Sequence, residues 1–432
     1  MKKAVWVWMS LLLVFALSGC GLEHKVRKEA AGEIPVTLRL SWWGNDLRNE
    51  TTIQVIKMYE KQNPHVRIEY EYSAFNEYWR KMAPYAAGNA LPDIIQMDIS
   101  YLSQYASLGL LEDMLPYTLD GTIDTDRIGP SHLDGGMIDG SMYGLSLGAN
   151  ALFGAYDPEV FKESGIAPPT PSWTWSDFDE MGEKLKGTGK RLATQFTPEQ
   201  FFAYYLRQYG QTLFAPDGSK LGYEDDALFV DYFGRMQRLV LDKMMYSPDE
   251  WTHDANMSDS MPFDRGEALL TWGYSNQFVA ISHGYGKPLE IAPMPGPNND
   301  RGLFVKPGMF FSIARNSKHK EEAAKFISFF VNDLEANKIL MGERGVPISS
   351  EVKEGLKPYL SPEQAKVFEY MEWVEDNSSP MDPPDPAGTP EVTAVLRDLN
   401  DQLLFGRITP EEAAVLFRAK ANDILARSSR EP

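Results

Sequence analysis

The chain has 432 residues, with 61 acidic against 42 basic side chains and a formal net charge of −19 at pH 7. This length suggests two or three domains, each large enough to bury its own core. The acidic balance disfavours nucleic acid and anionic membrane surfaces as partners, because no basic stripe is available to neutralise phosphates. Aromatic residues make up 12% of the chain, a high share that calls for a use beyond the core.

The first 19 residues are typical of a secretory leader. Two lysines precede an apolar run over residues 5–17, and small residues lead into Cys20, the only cysteine. The Cys20 thiol can carry a diacylglycerol, and two or more acyl chains suffice for stable anchoring. We therefore predict a lipoprotein signal peptide over 1–19, a flexible tether over 20–32, and a lipid-anchored monomer on the extracellular face of the cell membrane. The alternative is a plain leader with a chance cysteine.

Beyond the tether, strands alternate with helices. The predicted elements are a strand over 36–43, a helix over 50–62, a strand over 65–72, a helix over 75–87 and a strand over 93–97. This alternation indicates βαβ units and a mainly parallel sheet. Ligands of such sheets bind beyond the carboxyl ends of the strands.

The middle of the chain predicts a passage into a second, mostly helical lobe. Asp139-Gly140 between apolar residues indicates a hairpin, and an extended run follows over 148–156. Further strand-like passages cover 266–274 and 308–315. An apolar stripe at residues 229, 233, 236 and 240 predicts a helix facing a core. Three helix starts share a cap hydroxyl, a proline and an acid or amide three residues on; they are Thr197, Ser361 and Thr409.

Several short segments occur in an order that identifies a family resemblance. They are Leu91-Pro-Asp-Ile-Ile, Gly109-Leu-Leu-Glu-Asp-Met, Tyr143-Gly-Leu, the run over 311–327, and Gly345-Val-Pro-Ile-Ser. In this order they resemble the extracellular solute-binding proteins of ABC importers, the sugar-binding family that includes maltose-binding protein. The resemblance implies an α/β, two-lobe periplasmic-binding-protein-like fold of type II, with lobes joined by hinge strands. It also implies transmembrane permease subunits of an ABC importer as partners.

Three crossings between lobes are expected, near Gly148, Trp272 and Arg315. They would place residues 33–148 and 275–313 in the N-terminal lobe. Residues 151–270 and 316–429 would then form the C-terminal lobe.

A sugar offers hydroxyls all round and apolar faces above and below, so its site needs aromatic platforms and amides, carboxylates or arginine. Such side chains stand at the predicted strand ends and crossings. The candidate ligand-binding residues are Trp43, Asn45, Asp46, Arg48, Asn76, Gln96, Asp98, Tyr101, Asn150, Phe153, Trp272, Tyr274, Asn276, Phe310 and Arg344.

Some of these candidates have a plain structural alternative. Trp42 and Trp43 point to opposite faces of a strand, and only one can serve as a platform; Trp43 is preferred. Asn45 and Asp98 would otherwise cap helices. Trp272 would otherwise be a core residue, and Arg344 a surface cation that closes a helix.

Other chemistries find little support in the sequence. The six histidines have no paired spacing, so neither a metal nor another cofactor is predicted. Residues 120–126 resemble a calcium loop but break its order, and a solvated acidic turn explains them. No nucleophile elbow is found.

The sequence therefore predicts a binding protein without enzymatic activity that delivers an oligosaccharide to an ABC transporter. Trp42-Trp43-Gly44 and Gly345-Val-Pro-Ile-Ser are similar to binders of plant-wall oligosaccharides such as pectin-derived rhamnogalacturonan fragments. The alternatives are a lipid-anchored glycosidase, and a binder of a cationic solute on the same scaffold.

Overall fold

The computed structural model describes residues 35–252, 261–383 and 385–429. The predicted leader, Cys20 and the tether lie outside these residues. The strands are β1 (Val36–Trp43), β2 (Val66–Ser73), β3 (Ile94–Met97), β4 (Met137–Ile138), β5 (Ser141–Met142), β6 (Leu145–Ser146), β7 (Ala149–Asn150), β8 (Leu152–Tyr156), β9 (Arg191–Ala193), β10 (Ala268–Tyr274), β11 (Glu290–Ala292), β12 (Lys306–Pro307) and β13 (Phe310–Ile313).

Helices connect and cover these strands. They are α1 (Asp46–Gln62), α2 (Phe75–Ala87), α3 (Ile99–Ser107), α4 (Leu115–Leu119), α5 (Pro130–Asp134), α6 (Pro158–Ser164), α7 (Trp175–Leu185), α8 (Pro198–Gln208), α9 (Ala227–Leu241), α10 (Pro248–Thr252), α11 (Met261–Asp264), α12 (Phe278–Tyr285), α13 (Asn299–Gly302), α14 (Lys320–Asn332), α15 (Leu334–Leu340), α16 (Ser350–Leu356), α17 (Pro362–Asp376), α18 (Thr389–Leu404) and α19 (Pro410–Ser428). Within the described ranges, no helix has the length and apolar character needed to cross a bilayer.

The first lobe is built on a five-stranded sheet with the order β2-β1-β3-β13-β6. β1 runs parallel to β2 and β3, whereas β13 is antiparallel to both of its neighbours. Helix α14 packs against this sheet and against α1. There the Tyr59 ring meets Phe326 and Phe329 at centroid distances of 5.1 and 5.0 Å. Residues far apart in sequence therefore share one core.

The second lobe contains a four-stranded sheet with the order β11-β8-β10-β9. β10 is antiparallel to β8 and parallel to β9. Helices α8, α9, α18 and α19 pack against one another beside it. The predicted apolar stripe of α9 is buried in that core, as Phe229, Phe233, Met236 and Val240 show. The fold is the predicted α/β arrangement in two lobes.

A short antiparallel pair, β7 with β12, links the lobes. β7 lies between strands of the first and second sheets in the chain, and β12 leads back to the first sheet. Glycines permit close backbone approach here: a Cβ on Gly308 would lie 2.2 Å from the carbonyl oxygen of Arg344, and one on Gly148 would lie 2.7 Å from it. We call β7 and β12 the hinge pair.

The pairings correct the predicted lobe boundaries in two places. β11 pairs with β8, so residues 275–292 lie in the second lobe, although the sequence placed 275–313 in the first. The passage near Trp272 is a strand inside the second sheet, and the crossing comes later, at β12. Likewise α14 and α15 pack on α1, so residues 320–340 belong to the first lobe and not to the predicted 316–429 segment.

Predictions that rest on local sequence patterns agree with the structure better than the predicted lobe boundaries do. Asp139 and Gly140 both have positive φ, 49° and 82°, as a two-residue hairpin turn between β4 and β5 requires. Capping boxes form at Ser361 and Thr409. The Thr197 side chain makes no cap hydrogen bond. Helix α1 starts at Asp46 rather than near residue 50, because Asn45 accepts a hydrogen bond from the Arg48 amide and caps it there.

Candidate functional site

A lysine on the hinge pair marks the place where the lobes meet. Lys306 is half-buried, and its ammonium lies 5.0 Å from the centroid of the Tyr274 ring. Tyr274 is the last residue of β10, so it comes from the second lobe. The backbone of Lys306 pairs with Asn150 of β7. A cation of the hinge thus faces an aromatic ring of the second lobe.

The first lobe contributes an acid and an aromatic group beyond the carboxyl end of β3. Asp98 caps α3, accepting from the Ser100 amide at 3.0 Å. One turn later, Tyr101 stacks on Trp79 with ring centroids 3.8 Å apart and planes at 16°. Both Asp98 and Tyr101 stay partly accessible. This is the sheet edge at which parallel α/β sheets bind ligands.

The second lobe contributes an acidic, proline-rich loop between α17 and α18, which carries Asp382 and Asp385. Arg207 of α8 holds the loop through an ion pair with Asp382 and a hydrogen bond to the Pro380 carbonyl at 2.8 Å. Burial lowers the pKa of Arg207, and the charge of Asp382 opposes that effect. The loop is therefore fixed by a buried cation, while Asp385 remains exposed.

The charges of Lys306, Asp98 and Asp385 influence one another, which indicates that these side chains belong to one site. Burial lowers the pKa of Lys306, opposed by the charges of Asp98 and Asp385. Burial also raises the pKa of Asp385 to about 6, where Asp382 and Asp98 add to the rise and Lys306 opposes it. Lys306, Tyr274 and Asp385 keep contact with solvent, although burial shifts the pKa of each, and such an environment is typical of a cleft. We call Asp98, Tyr274, Lys306 and Asp385 the cleft set.

Comparison with known proteins bears on what such a cleft does. Residues 45–333, more than half of the chain, match the family model described as bacterial extracellular solute-binding protein. The chain belongs to this family. Among curated proteins, an arabinooligosaccharide-binding protein of Bacillus subtilis (strain 168) is 25% identical, with 99% of this chain and 94% of the relative covered.

Solved structures agree on the architecture. An extracellular solute-binding protein family 1 from Alicyclobacillus acidocaldarius matches with a TM-score of 0.76 and 29% identity, covering 91% of this chain and 99% of that one. A periplasmic oligogalacturonide binding protein from Yersinia enterocolitica, in complex with saturated digalacturonic acid, matches with a TM-score of 0.74 and 22% identity, covering 91% and 100%. At that identity the second likeness concerns the fold alone.

In this solute-binding protein, the residues predicted from sequence to bind ligand divide by accessibility. The exposed or half-buried ones are Asn45, Asp46, Arg48, Asn76, Asp98, Tyr101, Tyr274 and Asn276. The buried ones are Trp43, Gln96, Asn150, Phe153, Trp272, Phe310 and Arg344. A ligand role for any of them remains a prediction, but only the first group offers surface without rearrangement.

The structural alternative raised for Asn45 and Asp98 is observed, because both side chains cap helices. For Asp98 the cap and a ligand role are compatible, because Oδ2 accepts no hydrogen bond from the described part of the chain. Arg48 is engaged instead by Glu343, with Nε 3.0 Å from Oε1 and 2.8 Å from Oε2. That ion pair joins α1 to the turn that follows α15.

Arg344 is neither a surface cation nor accessible. It is 3% exposed and donates to Thr52 Oγ1 at 2.8 Å and to Gln96 Oε1 at 3.3 Å. Gln96 in turn donates to the Trp43 carbonyl at 3.0 Å. Burial lowers the pKa of Arg344, the charge of Arg48 adds to this, and Glu343 opposes it. These side chains are occupied inside the first lobe.

The two adjacent tryptophans point to opposite faces of β1. Trp42 is fully buried, stacks on Tyr72 at 5.3 Å and donates to Asn49 of α1. Trp43 meets Phe75 at 5.3 Å, and Phe75 is 40% exposed. Trp43 therefore belongs to the aromatic group that includes the Trp79–Tyr101 stack.

Trp272 lies in the core of the second lobe. It is 8% exposed and stacks on Phe196 at 4.7 Å and on Trp173 at 6.2 Å. The strand opposite leaves room for the ring, since a Cβ on Gly154 would lie 2.8 Å from it. This packing matches the core alternative raised for Trp272.

Sequence reasoning missed Lys306, Asp382 and Asp385. Lys306 precedes Pro307 and Gly308 at a crossing that the sequence placed elsewhere. The aspartates alternate with prolines in the segment over 380–390, a composition that predicts an irregular loop but not its destination. Over the residues that the structure describes, no group of His, Cys, Asp and Glu side chains is arranged to hold a metal ion.

Proposed function

We propose that this protein captures an oligosaccharide between its lobes and delivers it to an ABC importer without chemically changing it. The observation that carries the proposal is the cleft set, which draws accessible groups from the first lobe, the hinge pair and the second lobe. Carboxylates and an ammonium can bind hydroxyls, and aromatic rings can pack on sugar faces. The site thus offers both kinds of contact that a sugar needs.

The relatives support the class of ligand. The Bacillus subtilis relative is named for arabino-oligosaccharides and is similar over nearly its whole length. The Yersinia enterocolitica neighbour is named for oligogalacturonides. Both names refer to sugars of plant cell walls, and we propose a plant-wall oligosaccharide for this chain as well.

Calorimetric titration with an arabino-oligosaccharide tests the proposal. We expect saturable binding with the sugar recovered intact afterwards. Repeated turnover of the sugar would instead favour the glycosidase alternative. The absence of binding to any oligosaccharide, together with binding of a polyamine, would favour the cationic-solute alternative.

Binding should also change the shape of the protein, because a ligand held between lobes favours the closed form over the open one. Small-angle scattering should show a smaller radius of gyration at saturating sugar. An unchanged radius would mean that the ligand sits in a rigid cleft.

Anchoring and delivery complete the proposal. The leader and Cys20 support a lipid-anchored protein on the extracellular face, presenting sugar to permease subunits. Cys20→Ser should move the protein from the membrane fraction to the medium. Retention of that variant on the membrane, with its leader removed, would place the anchor elsewhere.

A further inference from the structure

A lysine without a carboxylate partner stands on the hinge side of the cleft. Lys306 Nζ donates to the carbonyl oxygen of Pro307 at 3.4 Å and lies over the Tyr274 ring. Across residues 35–252, 261–383 and 385–429, no carboxylate oxygen comes within 4.0 Å of this ammonium. An ammonium has three donors, so Lys306 retains donors for a ligand.

Two carboxylates, one from each lobe, act on Lys306 through their charge. The Ser379 amide donates to the Leu303 carbonyl at 3.0 Å and so holds the loop of Asp385 beside the segment that leads into β12. Asp98 uses Oδ1 to cap α3, which leaves Oδ2 for other partners. Asp385 makes no hydrogen bond or ion pair with the residues that the structure describes, although the charges of Lys306, Asp382 and Asp98 all reach it. Each acid therefore has acceptor capacity that the folded chain does not use.

The charges of the cleft do not balance. Arg207 is taken up by its ion pair with Asp382, so among the described residues Lys306 is the cation whose charge acts on Asp385. The cleft holds an excess of negative charge when all of these groups are ionised. An incoming carboxylate would meet both acids in surroundings that weaken screening by water. An uncharged ligand would meet donors and acceptors without that repulsion.

We propose that this arrangement makes the cleft select uncharged oligosaccharides over those of uronic acids, with Asp385 as the residue that sets the preference. The inference rests on the proposed function and narrows its ligand. Lys306 donates to hydroxyl and ring oxygens, Asp98 and Asp385 accept from hydroxyls, and Asp385 repels a uronate. Neutral plant-wall chains such as arabino-oligosaccharides fit this site, whereas the acidic backbone of rhamnogalacturonan does not.

The test compares two sugars on the full mature chain. Titration at about pH 7.5 with an arabino-oligosaccharide and with saturated digalacturonic acid should give at least about a tenfold preference for the neutral sugar. In Asp385→Asn the preference for the neutral sugar should shrink about tenfold, because the variant binds digalacturonic acid more tightly. The matched control is Asp423→Asn, which removes the same charge from an exposed i,i+4 pair with Arg427 on α19 and should leave the preference unchanged.

Lower pH tests the same idea without a mutation. At about pH 5 Asp385 takes up a proton, given its pKa of about 6, while a uronate carboxylate stays ionised. The wild-type preference should then fall as it does in Asp385→Asn. Asp382, Lys306 and Asp98 are the charged groups facing Asp385. Burial raises the pKa of Asp382, and its ion pair with Arg207 opposes that rise, so the Asp385→Asn variant at about pH 7.5 is the arm that isolates Asp385.

Two results would overturn the inference. One is a wild-type protein that binds the digalacturonate as tightly as the neutral sugar near neutral pH. The other is a preference that neither Asp385→Asn nor the lower pH changes. Failure of both sugars to bind at either pH would contradict the proposed function itself, and so differs from both results.

Discussion

Arg344 donates a hydrogen bond from Nε to Oε1 of Gln96 at 3.3 Å, and both side chains are buried in the first lobe. Thr52 accepts a second bond from the same guanidinium, and the carbonyl oxygen of Arg344 lies against the hinge glycines Gly148 and Gly308. One residue thereby connects α1, β3 and the hinge pair. The charged guanidinium of Arg344 therefore stabilises the fold of the first lobe.

We therefore expect Arg344→Met to reduce stability. Gln96 and Thr52 would each lose a charged donor, and hydrogen bonds to charged groups contribute about 1.5–3 kcal/mol. Chemical denaturation should show a lower free energy of unfolding by about that amount. Lys338→Met, which removes a largely local pair with Glu335, is the control and should reduce stability much less, because solvent screens an exposed pair. A fully stable Arg344→Met protein that no longer binds sugar would reverse this assignment.

Trp272→Ala should act mainly on stability. The indole packs against Phe196 and Trp173 in the second lobe, and deletion of a buried tryptophan costs about 3–5 kcal/mol. Thermal melting of the variant should show a large decrease, whereas Leu119→Ala, at a side chain 79% exposed, should show almost none. If Trp272→Ala melts like the wild type but loses sugar affinity, the indole is a ligand platform as the sequence suggested.

Gly308→Ala should disturb the hinge pair. The added methyl would lie 2.2 Å from the Arg344 carbonyl oxygen, a backbone atom that cannot rotate away. Overpacking of this kind costs about 1–3 kcal/mol. Gly129→Ala is the matched control, because its methyl would meet only the His132 ring at an ordinary 3.6 Å. Equal melting temperatures of the two variants would show that the hinge relaxes freely.

Asp385→Asn should change how stability depends on pH. The pKa of Asp385 is raised by burial from 3.8 to about 6, so the folded state holds this proton more tightly than the unfolded state. Its contribution to stability is complete below 3.8 and is lost as the pH rises through 6. Because solvent still reaches this carboxylate, although protein surrounds much of it, solvent screens part of the effect.

The melting temperature of Asp385→Asn relative to wild type should therefore increase on going from about pH 4 to pH 7. Melting curves of both proteins across that range check this. A constant difference would mean that Asp385 titrates normally in the folded protein.

Short-range signals in the sequence were enough for much of the fold. Alternating apolar residues placed β1 at Val36–Trp43, and helical periodicity placed α2 at Phe75–Ala87. Both depend on neighbours within a few residues. The lobe boundaries failed because they depend on which strands pair, and β11 pairs with a strand more than a hundred residues earlier.

The candidate site was harder to predict from the sequence than the fold, because it too depends on contacts between residues far apart in the chain. Asp98 and Tyr101 follow a buried strand, so position along the chain indicates them. Lys306 and Asp385 reach the cleft only because the hinge pair and the proline-rich loop meet there. Conversely, Gln96 and Arg344 carry side chains suited to a sugar but hydrogen-bond to each other inside the first lobe. Side-chain chemistry alone does not distinguish a group that awaits a ligand from one that already has a partner.

The strand order of the first sheet determines when this protein can fold. β13, which lies between β3 and β6, is synthesised after all four strands of the second-lobe sheet. Helix α14, which covers Tyr59, comes later still. An emerging chain therefore cannot complete its first core until Arg344, which follows α15, has left the ribosome, and contacts so distant in sequence form slowly. Truncations that remove the last hundred residues should thus release an incompletely folded second lobe beside a first lobe that has all of its strands.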